Sequence, residues 1–309
     1  KIIKGNKELR RVMILYPGAS PHAENHPSMI FLAAVLANIG FDVYIPRIPP
    51  LKDLDISENN IDWFKKAYKE IIKRNDVKGS LVTCMGVSYG GALLLKSSLS
   101  GPMQENSPHC IITYGTIFDV QTSLDFVLSG ELTIKDKKVK IKPNEWGMVV
   151  CFHNFLSKID IGYDSCFIQK IMQLRVQDNN KDLQNELNKL DKDQLCLVSD
   201  ILNGKISSEV KRIIDIILRE KIDLLDSLSP KHWCEDIKTK VFIMHGASDD
   251  MVPYTQSILL SQKIKNSELF ISYLYEHNEI SPKKSMVYKL KESIRLIRFI
   301  DLLLKYHEN

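Results

Sequence analysis

Short, continuously apolar runs recur along the first third of the chain, separated by stretches with helical spacing. Four runs lie at residues 11–16, 41–46, 81–85 and 110–115. Runs of this length without polar alternation are typical of strands that are covered on both faces of a parallel sheet. The segments between them place apolar residues three and four positions apart, as amphipathic helices do. The order therefore predicts an α/β fold with a mostly parallel sheet and helices on both of its faces.

The pattern changes between residues 118 and 238, where no confident buried strand occurs. Helical spacing is found in four stretches, at residues 145–157, 164–176, 182–200 and 207–219. A weak alternation at 134–142 fits a hairpin or a loop. This block is more polar than the preceding one, as a lid over a sheet edge would be, and we predict a mainly helical cap inserted at 118–238. The amphipathic stretches could alternatively serve a partner chain.

The sheet pattern returns at residues 240–246, followed by a helix at 254–265 and a last strand at 269–275. We predict that a final helix begins at Ser281, with Pro282 in its first turn. Apolar residues recur along this helix and predict one face docked on the core: Val287, Leu290, Ile294, Ile297, Ile300 and Leu304. Residues 1–117 and 239–309 would then form one core, and since almost no chain precedes residue 11, we expect no antiparallel edge strand there.

Composition excludes several classes of protein. The chain has 309 residues, 44% of them hydrophobic, and a net charge of only +4 with acidic and basic residues interleaved. Such a balance argues against a nucleic-acid partner. No apolar run approaches the length of a transmembrane helix. The chain begins at Lys1 rather than methionine, which is consistent with removal of an N-terminal segment. We expect a cytoplasmic location, and the oligomeric state is open.

The six cysteines form no C-x-x-C pair and show no metal-ligand spacing, so we expect free thiols and no bound metal. No organic cofactor is expected either. In particular, no G-x-G-x-x-G follows the first strand, which argues against a dehydrogenase.

The strongest chemical signal is the sequence Gly86-Val87-Ser88-Tyr89-Gly90, which lies between a predicted strand and a predicted helix. This G-x-S-x-G context is typical of a nucleophile elbow, in which a serine sits on a sharp turn. Neighbouring chain comes close to the turn, so glycine is expected at 86 and 90. Ser88 would also lie at a helix N-terminus, where free N–H groups can bind an oxyanion.

A serine nucleophile needs a base, and that base needs an orienting carboxylate. Catalytic groups of a parallel sheet lie at the carboxyl ends of its strands. Among the histidines, His277 fits best because it follows the last strand. We expect His245 to fix its own loop and His307 to be solvated, while His22 and His26 lie in the loop after the first strand and could line the pocket.

Two acids compete for the orienting role, because Asp249 and Asp250 both follow the strand that ends near His245. The spelling G-x-x-D-x-x-V-P at residues 246–253 favours Asp249 and leaves Asp250 as a loop or capping group. The resulting order, Ser88 then Asp249 then His277, is that of the Ser-Asp-His triad found with such elbows.

With these motifs the sequence resembles the α/β-hydrolase-fold serine hydrolases of the carboxylesterase and lipase-like group, over residues 9–117 and 239–306. The resemblance implies a second oxyanion donor in the loop after the first central strand. At that place the chain has Pro17-Gly18-Ala19, so the N–H of Ala19 would join that of Tyr89.

The resemblance further implies hydrolysis of a small-molecule carboxylic ester through an acyl-enzyme. The same triad would also serve a thioesterase, a lysophospholipase or an acyltransferase. The alternative from another class is a hydrolase-fold binding protein without turnover, which would have no need of Asp249 and His277 together.

Overall fold

A seven-stranded sheet forms the centre of the chain in the computed structural model, which describes residues 2–3, 11–134, 137–276 and 285–308. The strand order is β1-β3-β2-β4-β5-β8-β9, and all neighbours are parallel except β1 and β3. The strands are β1 (Ile2–Ile3), β2 (Arg11–Tyr16), β3 (Phe41–Tyr44), β4 (Leu81–Val87), β5 (Cys110–Tyr114), β8 (Lys240–Ser248) and β9 (Ser267–Glu276). The remaining two, β6 (Glu131–Ile134) and β7 (Lys137–Lys140), form a separate antiparallel hairpin.

Helices connect the strands and fill the long segment before β8. Those of the sheet region are α1 (Pro27–Asn38), α2 (Pro49–Lys52), α3 (Asn59–Ile72), α4 (Tyr89–Ser97), α5 (Pro102–Glu105), α13 (Thr255–Lys263) and α14 (Met286–Tyr306). Those of the intervening segment are α6 (Val120–Ser129), α7 (Glu145–Phe155), α8 (Cys166–Val176), α9 (Asn180–Leu187), α10 (Lys192–Leu202), α11 (Ser208–Glu220) and α12 (Ile222–Leu228).

The sheet is covered on both faces, which confirms the predicted fold class. On one face α1 and α14 pack over a cluster that includes Met29, Phe242 and Phe299. On the other face α3, α4 and α13 enclose a second cluster, represented by Phe64 and Leu260. The predicted buried strands are found. A strand that is covered by helices on both faces has no solvent-facing side, so all of its side chains can be apolar.

The segment between β5 and β8 has a hydrophobic cluster of its own, built mainly from α7, α8, α10 and α11. Its two ends lie together, since the N–H of Lys231 donates to the carbonyl of Phe118 at 3.0 Å. The side-chain oxygen of Gln256 accepts from the N–H groups of Phe118 and Asp119, which ties this entry point to α13. The division of the chain into a core and a cap at 118–238 stays a prediction.

One helix predicted in that segment is wrong. Residues 182–200 form two helices, α9 and α10, that are separated by a break after Leu187. The second helix starts with a capping box, in which Asp191 and Gln194 satisfy each other's backbone N–H groups. A capped start interrupts the helical pattern even where the apolar spacing continues.

The predicted packing of the last helix is wrong for four of its six residues. Val287, Leu290, Ile294 and Ile297 are exposed, Ile300 and Leu304 are partly buried, and only Leu304 of the six packs against the core cluster. The buried side chains of α14 are Glu292, Phe299 and Leu303. Phe299 decides the orientation, because its ring contacts Phe242 and Phe270 with centroids 5.7 and 5.4 Å away. Apolar residues on more than one side of this helix make its periodicity ambiguous.

One expectation for the chain ends is wrong, and another falls on residues that the structure does not describe. Strand β1 pairs antiparallel with β3, although we expected no edge strand there. Ser281 and Pro282 lie outside the described residues, and α14 begins at Met286 with Ser285 as its N-cap. None of the helices in the described ranges combines the length and the apolar character that crossing a bilayer requires.

The expected solvation of His307 is wrong. This side chain is buried at the amino edge of the sheet, where its Nε2 lies 2.9 Å from Thr83 Oγ1 and 3.8 Å from Cys110 Sγ. Burial, with His109 and Arg11 nearby, lowers its pKa to about 4. All six cysteines are free thiols, as predicted.

Candidate active site

Ser88 lies on the turn between β4 and α4 with strained backbone angles. Its φ is 52° and its ψ is −130°. A positive φ in a residue that carries a side chain costs about 1–3 kcal/mol of backbone strain. Three hydrogen bonds hold this conformation. The Ser88 N–H donates to the carbonyl of Tyr114 at 2.7 Å, and the Ser88 carbonyl accepts from the Gly91 N–H at 2.9 Å and the Thr116 hydroxyl at 3.2 Å.

The glycines of the turn are required by space. A Cβ on Gly86 would lie 2.7 Å from the carbonyl oxygen of Gly90. A Cβ on Gly90 would overlap the carbonyl oxygen of Pro17, which belongs to the loop after β2. Since both obstacles are backbone atoms, neither can move aside as a flexible side chain would. The loop at residues 17–19 therefore packs directly against the serine turn.

Two backbone N–H groups lie beside Ser88. A Cβ on Gly18 would be 3.3 Å from Ser88 Cβ, so the next residue, Ala19, adjoins the serine and lines the same cavity. Tyr89 is the first residue of α4, and its N–H therefore has no acceptor within the helix. Within the described residues, no hydrogen bond uses the N–H of Ala19 or of Tyr89. Together they can bind an oxygen that gains negative charge.

The carboxylate of Asp249 faces the same cavity from the loop after β8. Its Oδ1 accepts from the N–H groups of Met251 and Val252, both at 2.9 Å. Its Oδ2 lies 3.5 Å from Nε2 of His245, and a Cβ on Gly115 would lie 3.4 Å from the same oxygen. One oxygen thus anchors the loop, and the other faces the region between β5 and β8.

The neighbouring Asp250 contacts the segment between β5 and β8, called the inserted segment below. Its carbonyl accepts from the N–H of Asn144 at 2.9 Å, and Asn144 Nδ2 lies 3.4 Å from Asp250 Oδ2. Asn144 is also the N-cap of α7, so this helix begins on the loop that carries Asp249. The geometry favours Asp249 over Asp250 as the acid that faces the serine.

His245 is buried and committed to holding the loop. Its Nδ1 lies 2.7 Å from the hydroxyl of Ser257, and its Nε2 lies 2.8 Å from the carbonyl of Val252. Because a carbonyl only accepts, Nε2 carries the proton and Nδ1 accepts from the serine. This arrangement agrees with the expected role of His245 in fixing the loop.

His277 lies outside the described residues, so its position as the proposed base stays a prediction. The strand that precedes it does extend to the edge of the sheet where Asp249 lies. β9 ends at Glu276, which pairs with Ser248, the residue before Asp249.

The cavity over Ser88 has a volume of about 430 Å³, within the range of small-molecule sites. Loops after β2, β4, β5 and β8 enclose it, and the inserted segment closes one side. Sequence reasoning missed the apolar lining that Met29 and Trp146 supply from distant elements, beside Met251 and Val252 of the Asp249 loop. No local signal marks Met29 or Trp146, since only the fold brings them to the cavity.

His26 also lines the cavity, as the sequence allowed, whereas His22 is exposed. The Nδ1 of His26 accepts from the N–H of Ser28 at 3.2 Å and so caps α1. Burial lowers the pKa of His26, and the nearby ring of His22 lowers it further. His26 therefore stays neutral at physiological pH.

The comparisons with known proteins agree with the fold described above. The family model BD-FAE matches residues 184–264, less than half of the chain, including the loop that carries Asp249. Est1E from Butyrivibrio proteoclasticus, in a structure with bound ferulic acid, is 13% identical with a TM-score of 0.50, over 97% of this chain and 94% of that one. The search of curated proteins found no match.

A larger protein shares the fold as well. Acylaminoacyl peptidase from Pyrococcus horikoshii is 13% identical with a TM-score of 0.50, over 100% of this chain but only 39% of that chain. At such identities the likeness shows a common fold, and it leaves the substrate open.

Proposed function

Because this chain has the α/β-hydrolase fold, we propose that it is a serine hydrolase that cleaves carboxylic esters by acyl transfer. The observation that carries the proposal is the strained Ser88, which opens into one cavity with Asp249 and adjoins two unused N–H groups. Strain of this kind persists only where the surroundings enforce it, and it clusters at functional sites.

In the proposed reaction, the base His277 takes the proton of Ser88 as the hydroxyl oxygen attacks the ester carbonyl. Asp249 orients the imidazole and stabilises its protonated form. The N–H groups of Ala19 and Tyr89 bind the oxyanion of the tetrahedral intermediate. The proton then passes to the departing alcohol, and water releases the acyl group by the reverse sequence of proton transfers.

The cavity supports substrates of small or medium size. A volume of about 430 Å³ with Met29, Met251 and Val252 in its lining suits an apolar acyl or alcohol group. The indole of Trp146 lies at the same cavity, with the guanidinium of Arg175 centred 5.4 Å from its ring. Aromatic esters therefore belong in any substrate panel, methyl ferulate among them because Est1E binds ferulic acid.

The test is hydrolysis of p-nitrophenyl esters of graded acyl length by the wild type and by Ser88→Ala. We expect kcat/KM to fall at least about a thousandfold in the variant. The matched control is Ser98→Ala, which removes a serine at the other end of α4, where its hydroxyl donates to the carbonyl of Leu95. A Ser88→Ala protein with full activity would refute the proposal, and a wild type that binds esters without turnover would favour the binding-protein alternative.

A further inference from the structure

The solvent side of α14 is apolar over its first three turns. Met286, Val287, Leu290 and Ile297 are 80%, 79%, 64% and 63% exposed, and Ile294 is also exposed. Spacings of three and four residues put all five on one side of the helix. Monomeric soluble proteins seldom expose a contiguous apolar stripe of this size without a partner for it.

Helix α1, on the same face of the sheet, has the same property. Its sequence from Pro27 to Asn38 contains no charged residue, and its solvent side presents Phe31 and Val35, with Phe31 72% exposed. A helix that is apolar on all sides is ordinarily covered. Both helices pack on one shared cluster, so their outer sides belong to one face of the molecule. We call this face the α1–α14 surface.

This surface begins at the edge of the sheet that carries the cavity. α1 follows the loop after β2, and the first residues of that helix, Ser28 and Met29, line the cavity over Ser88. Phe31 stands one turn further along the same helix. The α1 part of the surface therefore reaches the rim of the candidate active site.

Three cations flank the stripe on α14. Lys289 lies on one flank of it, and Lys291 and Arg298 lie on the other. Within the described residues, none of these three cations is in an ion pair. The carboxylates of the same helix are already occupied, since Glu292 pairs with Arg295, and Asp301 pairs with Lys305.

The charge pattern selects among possible partners. A twofold dimer would bring the same surface of two copies together and set these cations against their equivalents, which disfavours association. An anionic amphipathic layer would instead cover the apolar stripe and neutralise the flanking cations at the same time. A lipid layer also needs no groove or shape match on these two helices.

We propose that the α1–α14 surface docks on an anionic lipid surface. Docking buries the stripe led by Leu290 and Ile297 at the boundary between head groups and acyl chains. It also sets the cavity rim next to the lipid. The proposal concerns binding alone and does not depend on the reaction assigned to Ser88.

The test is co-sedimentation of the full chain with vesicles of phosphatidylcholine alone and of phosphatidylcholine mixed equally with phosphatidylglycerol. We expect binding to the mixed vesicles, weaker binding at high salt, and at least about tenfold weaker partitioning for the double variant Leu290→Ser/Ile297→Ser. The matched control is Leu195→Ser, which removes an exposed leucine of α10 in the inserted segment. Thermal unfolding checks that each variant is folded.

A second pair of variants tests the charges. Lys291→Glu/Arg298→Glu should lose at least about tenfold in partitioning to mixed vesicles, since each surface cation contributes roughly 1 kcal/mol, about a fivefold effect. Lys192→Glu/Lys211→Glu changes charge equally on the inserted segment and should bind like wild type. Ser88→Ala should also bind like wild type, which separates this proposal from the catalytic one.

Four outcomes would overturn the proposal. The first is absence of wild-type binding to either vesicle, and the second is equal loss of binding in the test and control variants. The third is a wild type that sediments as a dimer without lipid and becomes monomeric on Leu290→Ser/Ile297→Ser, because a second copy would then cover the stripe. Equal binding to both vesicle types would contradict the selection of an anionic surface.

Discussion

At the carboxyl edge of the central sheet, the buried ring of His245 lies 2.7 Å from the hydroxyl of Ser257. At the amino edge, the buried ring of His307 lies 2.9 Å from the hydroxyl of Thr83. The two edges thus use the same types of side chain in similar contacts. They differ in what adjoins these contacts.

The carboxyl edge keeps its polar groups next to a cavity and holds one residue under backbone strain. Asp249 shares the loop that His245 fixes, and it faces the cavity of Ser88. At the amino edge, His307, Thr83 and Cys110 are enclosed by packing, with Phe41 edge-on to the imidazole at 5.4 Å. Residue type alone does not predict chemistry, because access and strain separate the two edges. Changes to the polar side chains at the carboxyl edge should affect turnover, and changes to those at the amino edge should affect stability.

The largest effect is expected for the proposed triad acid. Asp249→Asn should lower kcat by about 10³ to 10⁴-fold, because a neutral amide can neither orient the base as the carboxylate does nor stabilise its charge. The matched change Asp250→Asn should cost less than about tenfold, since that residue binds Asn144 in the inserted segment. Steady-state kinetics on one ester measures both, and equal losses would remove the distinction between the two acids.

The next largest effect tests the close packing at the serine turn. Gly90→Ala should lower the free energy of unfolding by more than about 3 kcal/mol, because its Cβ would overlap the backbone of Pro17. Gly147→Ala in α7 is the control, since its Cβ would meet only a side chain, Val127 Cγ2, at 3.1 Å. Equal stability of both variants in denaturant unfolding would show that the turn can accommodate a Cβ at residue 90.

A smaller effect is expected at the amino edge and depends on pH. The pKa of His307 falls to about 4 when the chain folds, so the unfolded state binds the extra proton as pH drops below about 6.5. Wild type should therefore lose on the order of 2 to 3 kcal/mol of stability between neutral pH and pH 4 from this group. Below the folded-state pKa the loss is complete.

The control for this pH dependence is His307→Gln, which keeps a side-chain amide near Thr83 but does not titrate. Denaturant unfolding of both proteins at several pH values measures the difference. The variant should have a shallower acid slope than wild type. Identical slopes would mean that His307 is equally easy to protonate in both states, contrary to its burial.

The smallest effect concerns the solvent side of α14, which belongs to neither edge. Leu290→Ala should change the free energy of unfolding by less than about 0.5 kcal/mol. Leu303→Ala on the same helix should cost about 2 to 5 kcal/mol because Leu303 is buried against the sheet. A large loss at Leu290 would indicate that the stripe is covered in solution.

The strands and the serine turn could be predicted from the sequence because their signals are local. A continuous apolar run such as residues 11–16 is buried whichever helices cover it, and G-x-S-x-G specifies a turn through its own glycines. The break between α9 and α10 was also signalled locally, by Asp191 and Gln194 three residues apart. Apolar spacing outweighed that signal in the prediction.

Other features could not be predicted because they depend on contacts between distant parts of the chain. The orientation of α14 is decided by Phe242 and Phe270, which meet Phe299 only in the fold. His307 is near the end of the sequence, yet it lies beneath β4 and β5. The lining of the cavity by Trp146 likewise requires the inserted segment to return over the sheet.

The most direct test of the central claim is labelling with a fluorophosphonate probe, followed by peptide mapping. Such a probe reacts with a serine whose hydroxyl is activated and whose oxyanion is stabilised. We predict one adduct on the wild type, located at Ser88, and none on Ser88→Ala. An adduct at another residue, or labelling that persists in Ser88→Ala, would contradict the assignment of Ser88 as the nucleophile.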